Sequence, residues 1–84
     1  MNTSELKKIA NRMSDLYLED NEKCFIEYDN LAKQKRDDMG FYEWFVLAEL
    51  LNLYVNIKSG IIDKFEGQRK QREIFERAEK YTAI

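Results

Sequence analysis

The stretch FYEWFVLAELLNLYVNIK, residues 41–58, is the most apolar part of the 84-residue chain and decides its fold. At helical spacing its apolar side chains occupy almost every side, and only Glu49, Asn52 and Asn56 form a narrow polar stripe. A helix of this kind belongs in the middle of a fold. It is also too short and too polar to cross about 30 Å of hydrocarbon, so we expect no transmembrane span.

The segment before this stretch carries one apolar stripe at spacings of three and four, which predicts helix. Its members are Leu6, Ile9, Ala10, Met13, Leu16, Tyr17, Cys24, Tyr28, Leu31 and Ala32. Asn2 and Glu5 can form a reciprocal cap, so the helix is expected to start near Thr3. The stripe keeps its phase past Asp20, which favours one helix over residues 3–38, with a break near residues 19–21 as the alternative. Gly40 suits a C-terminal cap or a tight connection.

The segment after the central stretch predicts a last helix over about residues 64–81. Ser59 and Gly60 end the central helix, and Asp63 with Glu66 has the spacing of a capping box. The expected inward stripe consists of Gly67, Gln71, Ile74, Phe75, Ala78 and Tyr81. We therefore predict a single all-α domain over residues 1–84, a compact bundle of three or four helices with a buried central helix and antiparallel neighbours.

The composition excludes most familiar enzyme chemistry. The chain has no histidine, which removes Ser-His-Asp and Cys-His nucleophile systems and imidazole zinc sites. We expect no enzyme activity, no cofactor and no metal site. The one cysteine, Cys24, lies on the apolar stripe and is expected to be a small buried hydrophobe in a reducing compartment. The polar N-terminus has no signal-peptide pattern, so we expect a cytoplasmic protein.

The apolar surface of the central helix exceeds what two amphipathic helices can cover, which predicts a protein partner or a homodimer. Tyr42 and Phe45 fall on the line of the polar stripe, and an exposed aromatic is typical of a protein interface. Phe25 and Ile26 lie off the main stripe and need a second neighbour. The alternatives are that the first helix covers Tyr42 and Phe45, and that a kink rotates Phe25 and Ile26 into the core.

Nucleic-acid binding is the alternative that the basic residues suggest. They cluster at Lys33, Lys35, Arg36, Arg69, Lys70 and Arg72. However, 14 lysines and arginines stand against 16 acids, and acids at helical spacing around the second cluster favour surface ion pairs.

We therefore expect a small non-enzymatic interaction module that binds and occludes a surface on a larger protein or complex. In size, acidity and lack of histidine it resembles the short accessory proteins of bacteriophages and mobile elements, among them inhibitors of host defence. A homodimeric structural subunit is a further alternative.

Overall fold

The structure, a computed structural model, describes residues 2–35 and 37–82, with side chains up to Lys80. Within these ranges the chain forms helices and no strand. The helices are α1 (Thr3–Glu19), α2 (Asn21–Gln34), α3 (Phe41–Lys58) and α4 (Lys64–Thr82). The predicted all-α bundle is confirmed.

The core forms around α3, which lies between α1 and α4, while α2 packs on α1. Val46, Leu47 and Leu50 have no exposed surface. The buried core contains Leu6, Ala10, Met39, Val46, Leu47, Leu50, Leu53, Ile74 and Ala78. A helix with apolar residues on nearly every side buries them only when it has neighbours on several sides. The predicted buried central helix is therefore confirmed.

The chain breaks at Asp20 instead of continuing as one long helix. The backbone of Asp20 is extended (φ −158°, ψ 99°), and its N–H donates to the Leu16 carbonyl at 2.7 Å, which closes α1. Its carboxylate accepts from the Lys23 N–H at 3.3 Å and so caps α2. Met13 and Cys24 then face each other across an antiparallel pair of helices. The expectation of one continuous helix is wrong. Two antiparallel helices that pack on one core can carry apolar residues at the same spacing as one long helix, so the stripe did not reveal the break.

Gly40 has a different role from the C-terminal cap that the sequence allowed. Its φ of −82° is ordinary, and it lies at the N-cap of α3, where its N–H donates to Glu43 Oε2 at 2.9 Å. Met39, just before it in the connection from α2, is buried. Gly40 therefore starts α3 and does not end α2.

Gly60 ends α3 in a left-handed conformation with φ 79°. Its N–H donates to the Ile57 carbonyl at 3.1 Å, and the Ile61 N–H donates to the Asn56 carbonyl at 3.0 Å. These two bonds define a Schellman motif, which favours glycine at the left-handed position. One half of the predicted capping box forms, since Asp63 Oδ1 accepts from the Glu66 N–H at 2.8 Å, while the Glu66 carboxylate pairs with Arg69.

Lys58 joins the last turn of α3 to the second half of α1. Its Nζ donates to the Asn11 carbonyl at 2.8 Å and to Ser14 Oγ, and it pairs with Asp15 Oδ1 at 2.8 Å. Ser14 is fully buried, and its hydroxyl donates to the Asn11 carbonyl at 2.7 Å. The junction of α1 with α2 and the connection from α3 to α4 therefore lie at the same end of the bundle.

Leu50→Ala is expected to lower the free energy of unfolding by about 2–5 kcal/mol, because it removes a fully buried side chain and leaves a cavity. Leu51→Ala makes the same chemical change at a half-buried neighbour and is expected to cost about 1 kcal/mol. Urea unfolding of both variants measures the difference. Equal losses would contradict the placement of the core.

Lys58→Met is expected to lower the free energy of unfolding by about 1–2 kcal/mol, because it removes two hydrogen bonds and one ion pair that join α3 to α1. Lys64→Met is the matched control at an exposed position and should change it by less than about 0.5 kcal/mol. Thermal unfolding at constant ionic strength compares the two variants. A loss at Lys64 as large as that at Lys58 would contradict the role given to Lys58.

Candidate protein-binding surfaces

Two predicted contact residues, Phe25 and Ile26, lie on the outward side of α2. Their exposed fractions are 62% and 55%. Cys24 is fully buried and its thiol donates to the Met13 carbonyl at 3.3 Å, which fixes the inward side of the helix. At 100° per residue, Phe25 and Ile26 then turn progressively away from α1. The alternative in which a kink buries them is wrong.

Phe25 still contacts α1 through the ring of Tyr17. Its centroid lies 6.0 Å from that of Tyr17, and the ring planes meet at 87°. This edge-to-face contact fixes the ring while leaving most of its surface open. A large aromatic held in place and exposed is the type of side chain that anchors protein interfaces at low entropic cost.

The other two predicted contact residues, Tyr42 and Phe45, are half-buried and pack against the core. Burial raises the pKa of the Tyr42 hydroxyl, and the nearby carboxylates of Glu79 on α4 and Glu43 raise it further. Phe45 stacks on Phe41 with a centroid distance of 6.3 Å. The exposed aromatic of this segment is therefore Phe41, at 71%, and not the pair chosen from the sequence.

Three further exposed apolar residues, Leu18, Ile61 and Phe65, lie near the junctions at one end of the bundle. Phe65 is 87% exposed and Ile61 is 73% exposed. Phe65 lies two residues before Gly67, nearly opposite the buried side of α4 on a helical wheel. The exposure of Phe65 could therefore have been predicted from the periodicity of α4. In a Schellman motif the residue after the left-handed glycine commonly makes an apolar contact with the last turn of the helix. Here that residue is Ile61, and the residue whose carbonyl accepts its N–H is the polar Asn56.

The predicted surplus of apolar surface is thus not on the central helix. Among the described residues of α3, those classed as exposed are Phe41, Ala48, Asn52 and Lys58. Apart from Phe41, the large exposed apolar side chains lie outside α3: Leu18 near the end of α1, Phe25 and Ile26 on α2, Ile61 on the connection and Phe65 at the start of α4. The structure leaves an unpartnered apolar surface, but at the end of the bundle and on its outermost helix.

The basic residues do not form one surface. Lys33 pairs with Asp29 at 3.0 Å, and Arg69 pairs with Glu66 at 3.1 Å. Lys35 is half-buried at the C-cap of α2, and Arg36 lies outside the described residues. Lys70 and Arg72 are on α4, which does not pack against α2 in the described part of the chain. The two predicted clusters are therefore separate.

The polar stripe of α3 faces a shallow cavity of about 160 Å³ between α3 and α4. Glu49 pairs across it with Arg77 at 3.6 Å. Its other polar lining residues are Asn52, Asn56, Lys70 and Glu73. Two carboxylates and two cations line this cavity, so its surface has no dominant charge.

The surroundings of Cys24 disfavour its thiolate form. Burial raises the pKa of its thiol, and the carboxylate of Glu27 raises it further. Both effects favour the protonated form, which is the less nucleophilic one. In the described ranges no three cysteine, aspartate or glutamate side chains are grouped as metal ligands.

Stability is expected to fall at alkaline pH because burial raises the pKa of Tyr28 and Tyr54 above the usual value of about 10. The folded state keeps these protons to a higher pH than the unfolded state does. The stabilisation is complete below pH about 10 and is lost as the pH rises through the folded pKa. Tyr54→Phe should make the decline less steep in urea unfolding measured from pH about 8 to about 11. An unchanged slope would contradict this account.

No helix in the described ranges is both long and apolar enough to span a bilayer. A scan against protein-family models and searches of curated proteins and of solved structures find no match to this chain.

Proposed function

We propose that this protein is a small interaction module that binds a larger protein or complex and occludes part of its surface, with no chemistry of its own. The observation that carries the proposal is the exposed pair Phe25 and Ile26 on α2. Large apolar side chains exposed side by side on an ordered helix are costly in water and typical of contact surfaces. The lone thiol fits action in the cytoplasm.

The charges around this pair favour a basic partner surface. Glu22 precedes Phe25 by three residues and Ile26 by four, so the three lie on one side of α2. Asp29 follows on the same side, with its carboxylate held by Lys33. An apolar centre with an acidic rim is the arrangement that selects a partner with an apolar patch and lysines or arginines around it.

An accessory protein of a bacteriophage or mobile element, such as an inhibitor of a host defence complex, would work in this way. Occlusion requires only affinity and a body large enough to exclude the normal ligand. The bundle supplies a rigid body behind α2, because α1 and α3 are joined through Lys58 and the core. Binding therefore needs no rearrangement of the module.

Site-specific photo-crosslinking in the protein's native cells tests this proposal. A benzophenone amino acid replaces Phe25 in one variant and Lys8, an exposed residue of α1, in the control. We expect a discrete adduct with another protein at position 25 and none at position 8. Ile26→Ser in the position 25 variant should reduce the adduct about tenfold, because interface anchors are worth at least about 1.4 kcal/mol.

Equal crosslinking at positions 8 and 25 would overturn the proposal, since it would indicate random encounter. An adduct with nucleic acid at position 25 would overturn it in favour of the nucleic-acid alternative. An adduct that survives Ile26→Ser would overturn the assignment of Phe25 and Ile26 as the anchoring pair.

A further inference from the structure

Two apolar surfaces with opposite charges lie at one end of the bundle, and the proposed function uses only the acidic one. We define the acidic elbow as Leu18, Glu19, Glu22, Phe25 and Ile26, at the junction of α1 and α2. We define the basic corner as Ile61, Lys64, Phe65, Arg69 and Arg72, at the start of α4.

The two surfaces belong to segments of opposite charge. Residues 15–29 contain six carboxylates and one lysine. Residues 58–72 contain five lysines and arginines and two carboxylates. The whole chain has a net charge of only −2, so this separation is local and is hidden in the overall composition.

Part of this charge is unused within the molecule. Glu19 and Glu22 are exposed and make no ion pair with the described residues, whereas Lys33 and Lys58 neutralise Asp29 and Asp15. On the corner, Lys64 and Arg72 are likewise exposed and unpaired within the part of the chain that the structure describes. Each surface therefore has free charges of one sign.

The apolar groups and the charges share one side of each helix. On α2, Glu22 lies one turn before Phe25 and Ile26. On α4, Arg69 and Arg72 follow Phe65 by four and seven residues, which places them on the same side. The acidic elbow and the basic corner thus both combine exposed apolar side chains with charges, and the charges are of opposite sign.

We propose that two copies of this chain associate end to end, with the acidic elbow of each copy on the basic corner of the other. Lys58 holds the ends of α1 and α3 together, so elbow and corner lie at the same end of one molecule. Two copies related by a two-fold axis at that end form both elbow-to-corner contacts, so the assembly closes as a dimer. The inference rests on the proposed function in that both use Phe25 and Ile26 as a binding surface.

Purified protein alone tests this association, so it can fail while binding to another protein still stands. Sedimentation velocity over a dilution series at about 50 mM salt should show a dimer that dissociates into monomers. Raising the salt to about 500 mM should weaken the dimer about tenfold, because the ionic contacts are solvent-accessible. A monomer at every concentration and at low salt would overturn the proposal.

Charge reversal then identifies the two surfaces. One variant carries Glu19→Lys and Glu22→Lys, and a second carries Lys64→Glu and Arg72→Glu. Each alone should dimerise at least about tenfold more weakly than the wild type, since both of its contacts bring like charges together. An equimolar mixture should restore the dimer, because each contact then pairs opposite charges. A mixture that remains monomeric would overturn the assignment of elbow to corner.

The apolar contribution has its own matched pair of variants. Phe65→Ser at the corner should weaken the dimer about tenfold, whereas Phe41→Ser at the start of α3 should leave it unchanged. Both residues are largely exposed, so neither change should shift the melting temperature by more than a few degrees. Equal effects of the two substitutions would overturn the proposal.

Discussion

The requirement to cover α3 on several sides governs this structure. In a chain of 84 residues one helix carries much of the apolar surface, and Val46, Leu47, Leu50 and Leu53 are buried by neighbours from both flanks. At Gly67, a methyl group would lie 2.5 Å from the Ile57 side chain, so glycine lets α4 approach closely there. The other three helices are amphipathic because each needs only one side for this task.

That requirement explains why the fold was predictable from the sequence. The stripes of α1, α2 and α4 correspond to buried and half-buried positions, except that the predicted member Tyr81 lies outside the described side chains. Asn2 and Asp63 cap the helices that follow them. The sequence did not reveal the break at Asp20, because the stripe resumes in phase after it. An extended residue reverses the chain without changing which side faces the core, so periodicity alone cannot distinguish the two arrangements.

The candidate surface was less predictable, because exposure depends on which helices become neighbours. Phe25 and Ile26 could be identified from their angle to Cys24 alone. Tyr42 and Phe45 have the same kind of angular signal, but contacts with the rest of the bundle leave them half-buried. The elbow and the corner can each be found in the sequence as a charged segment. Their position at one end depends on Lys58 and Asp15, a contact between residues 43 positions apart.

Because its thiol is buried, Cys24 can report the opening of α2 in the native state. Cys24 is the one fully buried side chain among the described residues of α2, which is joined to the rest of the bundle by fewer buried groups than α3. Helices with little buried surface separate from a folded protein at a lower free-energy cost than global unfolding requires. The rate at which a thiol reagent reaches Cys24 therefore measures the opening of α2, while amide exchange in α3 measures unfolding of the whole bundle.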